Sequence, residues 1–160
     1  MLTLKKSGFT IIELLIVIVI IGILATIMIV SYSGVTQRAN NSTAEDTANM
    51  VARKLESFKS ETGAYAYDIS SLTSAHSKPY YIDATTVAFD LGATQPTTPK
   101  TVKLLKCGTT PNATQANISS TNNNIRGTRV YYWTYTNGGN ANSYVSVGND
   151  SGSGIACPTS

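Results

Sequence analysis

One carboxylate stands where water is expected to be scarce. Glu13 is the single charge between Lys6 and Arg38, and the run from Phe9 to Val30 around it is almost wholly apolar. A carboxylate at the centre of a membrane helix costs about 2.5–3.5 kcal/mol to insert. The run carries sixteen Leu, Ile, Val or Phe residues, each favourable by about 0.3–0.6 kcal/mol near the centre. The apolar sum exceeds the penalty, so insertion proceeds and Glu13 remains as an acid seeking a partner. The alternative is a Glu13 close enough to the interface to be solvated. A small residue, Gly8, stands directly before the apolar run. In an ordinary secretory signal the small-residue cleavage site follows the apolar region. A cut after Gly8 would leave the whole span on the mature chain. It would also create a positive amine at Phe9, about one helical turn from Glu13.

Other groups capable of chemistry are sparse. Cys107 and Cys157 fit no CxxC metal or redox spacing. If they lie outside the cytoplasm, a disulfide is the natural reading, with two free buried thiols as the alternative. The bond would close a loop of about 50 residues, worth roughly 4 kcal/mol in the chain-entropy description. His76 is the lone histidine, in a polar stretch, and reads as a surface residue. Two cysteines and one histidine make a poor zinc set. Gly152 and Gly154 lack the strand-then-helix context of a phosphate loop. Asp68, Asp83, Asp90 and Asp150 do not follow an EF-hand spacing. No catalytic, metal or cofactor site is expected, and the chain is not expected to be an enzyme. Asn41-Ser42-Thr43, Asn112-Ala113-Thr114 and Asn117-Ile118-Ser119 match the glycosylation sequon and read as chance in an Asn- and Thr-rich chain.

The elements that must carry these groups differ along the chain. As a helix, Phe9 to Val30 spans roughly 33 Å, which matches a hydrocarbon core of about 30 Å. Lys5 and Lys6 flank its start and Arg38 follows its end, so the positive-inside rule puts the N-terminus in the cytoplasm and most of the chain outside. The helical pattern continues beyond the membrane. Ala44, Ala48, Val51, Leu55 and Phe58 form one apolar stripe at helical spacing, and Gly63 suits the position that ends the helix. Gly34, after Ser31-Tyr32-Ser33, marks a bend, or alternatively a helix stop.

After Gly63 the chain is rich in Thr, Ser, Asn, Gly and Tyr. Tyr80 to Leu91 holds β-formers that do not alternate cleanly, and Thr101 to Cys107 is a short candidate strand. Arg129 to Thr136 is the strongest strand by composition. Asn137-Gly138-Gly139-Asn140 offers a turn before a return strand at Tyr144 to Val147. Gly108 to Asn124 reads as a polar loop and Asp150 to Ser160 as a tail tethered by cysteine. The aromatic cluster around Trp133 reads as packing, with an adhesive face as the alternative. The expected fold is α+β: a long N-terminal helix laid on a small antiparallel sheet. The divisions are a leader at 1–8, a membrane and filament-core helix at 9–37, and a head at 38–160, with amphipathic helix at 38–62 and β-rich chain at 63–160.

Net charge is +3, and removal of Lys5 and Lys6 with the leader leaves 3 − 2 = +1. Lys100, Lys103 and Lys106 read as a solvated strand edge kept soluble by lysine. A nucleic-acid surface would need a broader basic patch, and that partner stays open.

The string Lys5-Lys6-Ser7-Gly8-Phe9-Thr10-Ile11-Ile12-Glu13-Leu14-Leu15-Ile16-Val17 resembles the class III leader and methylation motif of type IV prepilins. That family includes major and minor pilins, pseudopilins of type II secretion and competence pilins. The resemblance covers about the first 35 residues. It implies cleavage after Gly8 by a prepilin peptidase, N-methylation of Phe9, and pairing of Glu13 with the Phe9 amine of a neighbouring subunit. Gly22 falls where the family often has a glycine and the helix can loosen. Many major pilins have a proline near the position of Val30, so local melting there is less strongly implied. The implied partners are further copies of the chain, other pilins, the peptidase, the membrane assembly machinery and the cytoplasmic membrane. The implied location is the cytoplasmic membrane before assembly and a surface pilus afterwards. Competing readings are a pseudopilin or competence-type subunit, and a singly anchored surface binding protein that never polymerises. Adhesion, twitching motility, secretion and DNA uptake are not separated by the sequence.

Overall fold

The computed structural model describes residues 8–66, 69–85, 87–90, 96, 98–109, 125–134, 143–151, 155 and 157. Helix α1 covers Ile11–Thr62, so the helix does not stop at Gly34. By internal contacts the chain divides into two units, Met1–Gln37 and Arg38–Ser160.

In the first unit, apolar side chains cover every face of α1. Those from Ile11 to Val35 are all exposed in the isolated subunit. A water-soluble protein rarely shows apolar patches beyond a few hundred Å², so this surface needs lipid or other protein around it. Among the described residues, α1 is the helix long and apolar enough to cross a membrane.

In the second unit the stripe read from the sequence faces a core. Ala44, Ala48, Val51 and Leu55 are fully buried, Ala52 nearly so, and Phe58 packs against the same cluster. Helix α1 ends where glycine was expected to end it. Gly63 has φ 78°, and its N–H donates to the Lys59 carbonyl at 2.8 Å. Left-handed backbone is open to glycine without a Cβ penalty. A short helix α2, Ser70–Thr73, buries Leu72, whose carbonyl accepts from the Ile82 N–H at 3.0 Å. Tyr80 meets Phe58 edge-on at 4.9 Å, closing this segment onto the helix.

The sheet holds β1 (Ala88–Asp90), β2 (Thr101–Gly108), β3 (Ile125–Tyr132) and β4 (Tyr144–Gly148), in the order β1-β2-β3-β4. β2, β3 and β4 are antiparallel neighbours, as expected. β1 adds a short parallel edge, with Asp90 opposite Lys103. Val102, Val130 and Val147 turn toward the helix stripe and join its core.

Two readings need correction. The strand placed at Arg129 to Thr136 lies four residues earlier, at Ile125–Tyr132. Its aromatic composition misled: the pairing that fixes it runs from Cys107 opposite Gly127 to Val102 opposite Tyr132. Glycine is needed at position 127, where a Cβ would lie 2.4 Å from the Asn149 carbonyl oxygen. Second, the lysine-bearing strand is no edge. β2 is flanked on both sides, and Lys103 is 5% exposed, while Lys100 remains exposed. The Asn137–Asn140 turn, and the sequons at Asn112 and Asn117, lie outside the described residues.

Candidate functional site: the N-terminal junction and the tethered head

The junction is built by the start of α1. Gly8, Phe9 and Thr10 precede the first helical residue, Ile11, and all three are exposed. The Gly8–Phe9 bond is therefore outside the hydrogen-bonded helix, and an added Cβ at Gly8 would meet nothing within 4 Å. An exposed, non-helical bond is one that an endopeptidase can lay open in its cleft. Residues 1–7, including Lys5 and Lys6, lie outside the described residues.

Thr10 and Glu13 form a reciprocal cap. The Glu13 carboxylate accepts from the Thr10 N–H at 2.8 Å and from the Thr10 hydroxyl at 2.7 Å. In return, the Glu13 N–H donates to the Thr10 Oγ1 at 3.3 Å. This is a capping box, in which the side chains three apart satisfy the free donors of a helix start. The first helical bond, Leu14 N–H to the Thr10 carbonyl at 3.4 Å, closes over it. Glu13, read from the sequence as an acid seeking a partner, thus has hydrogen-bond partners within its own span. The signal was legible, because a Thr-x-x-Glu string before an apolar run is itself a helix-start pattern. The cap supplies hydrogen bonds but no counter-charge. Among the described residues no ion pair involves Glu13.

Further along, Gly22 sits inside α1, and its carbonyl accepts from the Thr26 hydroxyl at 2.9 Å. Such a back-bond competes with the helix ladder and slightly weakens it.

In the head, Cys107 and Cys157 are disulfide-bonded, with Cα atoms 4.1 Å apart. A network not seen from the sequence sits beside the bond. Arg129 Nε donates to Asp150 Oδ2 at 2.9 Å, and its NH2 donates to the Asp150 carbonyl at 3.2 Å. The Ser146 hydroxyl donates to the same Oδ2 at 2.6 Å. The Ser146 bond and the Arg129 guanidinium hold the Asp150 carboxyl below its ordinary value, against the opposing effect of burial. Arg129 also lies over the Tyr144 ring at 4.6 Å. Charge and disulfide together pin the chain after β4 onto β2 and β3.

His76 is exposed and stacks on Tyr81 at 4.5 Å. Among the described residues, no three of His, Cys, Asp or Glu are grouped to hold a metal.

Residues 3–29 match the family model for the prokaryotic N-terminal methylation motif, the class III leader of type IV pilins and pseudopilins. No curated protein and no solved structure matches the chain.

Proposed function

We propose that this chain is the precursor of a type IV pilus-like filament subunit, and not an enzyme. The motif at residues 3–29 supports a pilin-like or pseudopilin-like precursor. The observation that carries the polymer reading is the combination at α1. An all-round apolar helix begins at a capped glutamate, directly after an exposed, non-helical Gly8–Phe9 bond. A plain membrane anchor needs neither the acid nor a cut before the span.

In this account the chain enters the cytoplasmic membrane with its N-terminus inside. A prepilin peptidase cuts after Gly8, and Phe9 becomes the methylated N-terminus. The helix then leaves lipid for a bundle of identical helices. Lipid tails satisfy Ile and Leu as well as a neighbouring helix does, so apolar contacts alone do not choose an axial register. The Glu13 carboxylate can choose one. An opposite charge within about 4–6 Å favours its ionised form in low dielectric, and the Phe9 amine of a neighbouring subunit would provide that charge. Registers that leave both groups unpaired are penalised, as with a lone polar residue in a coiled coil.

The test is Glu13→Val, with membrane-fraction subunit and sheared surface fibres measured in parallel. Membrane insertion and leader removal should remain near wild type while fibre yield falls at least tenfold. Normal fibre yield would remove Glu13 as the residue that sets register. Loss of subunit from the membrane would assign it to targeting or stability.

A further inference from the structure

At the end of the head where α1 stops, a cleft of about 590 Å³ opens between Lys59, Gly63, Ala64 and Tyr65 on one side and Ile125, Arg126, Gly148 and Asn149 on the other. Its size is ordinary for a small-molecule site. We propose that this cleft binds a phosphate group carried on a small molecule or surface glycan, held by Lys59, Arg126 and the Tyr65 hydroxyl.

The cations are the first support. Lys59 Nζ donates to the Tyr65 hydroxyl at 2.5 Å and sits 4.3 Å from that ring's centre. Among the described residues it pairs with no carboxylate. Arg126 is exposed and is absent from the ion pairs of the described residues, which are Lys78–Glu61 and Arg129–Asp150. Among the described residues, two cations therefore line one cleft whose lining includes no acidic side chain.

Tyr65 is the second support. Its oxygen accepts from Lys59, so its own proton is free to be donated elsewhere. Its position is enforced by glycine: a Cβ at Gly148 would fall 1.9 Å from the Tyr65 hydroxyl oxygen. Gly148 also has φ 74° and Gly63 has φ 78°, so two left-handed glycines shape the same cleft. Two backbone donors nearby are committed: Gly63 N–H donates to the Lys59 carbonyl and Asn149 N–H to the Arg126 carbonyl.

One effect opposes an anion here. The C-terminus of α1 carries roughly half a negative charge from its aligned peptides. Two full positive charges outweigh it, and the Gly63 cap already satisfies the Lys59 carbonyl. Phosphate is favoured over carboxylate because three donors arise from three separate segments, namely α1, the turn after it and β3. A tetrahedral group with several oxygens can meet them together, while Arg offers a fork suited to phosphate.

The full chain in neutral maltoside micelles, labelled with ¹⁵N, is titrated with inorganic phosphate at pH 7 and constant ionic strength. The amides of Gly63, Gly148 and Asn149 should shift saturably, with a midpoint in the millimolar range. Lys59→Gln and Arg126→Gln should each raise the midpoint at least tenfold, and Tyr65→Phe at least threefold, with the remaining amide spectrum unchanged. Lys78→Gln, which alters a cation outside the cleft, should leave it unmoved. Equal shifts with chloride, equal affinity for acetate, or unaltered binding in the Lys59→Gln/Arg126→Gln double variant would each overturn the proposal.

Discussion

Replacing Asp150 by Asn keeps the shape of the side chain and removes its charge. Oδ2 of Asp150 takes bonds from Arg129 and Ser146 at once, and an amide cannot accept both on a charged oxygen. The side chains of Arg129 and Asp150 are 23% and 15% exposed. The pair therefore lies between an exposed ion pair, worth about 0–1 kcal/mol, and a fully buried one, whose disruption costs about 3–5 kcal/mol. A loss of about 2 kcal/mol is expected, which for a head of this size lowers Tm by about 8 °C. Combining Asp150→Asn with Arg129→Met should cost about 1.5 kcal/mol less than the sum of the two, since both remove one interaction.

The pH dependence gives an independent check. The folded carboxyl is held below its ordinary value of 3.8, so its contribution is fully present above that value. It is lost as the pH falls through the folded value. Asp83 is also held low, by Thr85, so wild type should lose stability in acid from both groups. The difference between wild type and Asp150→Asn isolates Asp150: it should be largest at pH 7 and shrink below about pH 4. Near-ultraviolet circular dichroism of the full chain in micelles follows the aromatic packing of the head. A variant within about 0.5 kcal/mol of wild type at pH 7, small even for a surface substitution, would refute the reasoning. A difference that stays constant down to pH 2 would refute it as well.

Two further outcomes concern the same head. Non-reducing peptide mapping should recover the Cys107–Cys157 pair. Its reduction should cost about 4 kcal/mol, from the sequence separation of 50, and two freely alkylatable thiols in native protein would contradict it. Leu55→Ala, at a fully buried position of the helix stripe, should destabilise the head by about 2–5 kcal/mol in the same thermal assay, while Glu56→Ala on the exposed side should change it by less than about 0.5 kcal/mol.

Legibility in the sequence followed how local each determinant is. The stripe from Ala44 to Phe58 and the stop at Gly63 depend on neighbours within a few turns, and both were readable. So was the junction, where a glutamate inside an apolar run is unusual wherever it occurs. The Thr10–Glu13 cap is equally local, but inside an apolar run the charge of Glu13 is more conspicuous than its hydrogen-bonding role. The β region was harder. Arg129 to Tyr132 did form strand, but composition drew the boundary past Trp133, and only pairing with β2 moved it back to Ile125. The burial of Lys103 follows from β1 pairing along the far side of β2, and strand order is a long-range property. The Arg129–Asp150–Ser146 network joins residues that are scattered in sequence and leaves no spacing to read.

The central claim is that a cut and modified chain becomes a filament. Intact-mass analysis of subunit recovered from sheared, microscopically fibrous surface material tests it most directly. The account predicts a chain that begins at Phe9, carries one added methyl group and lacks two hydrogens for the disulfide. A fibre subunit that retains Met1 to Gly8 would contradict it.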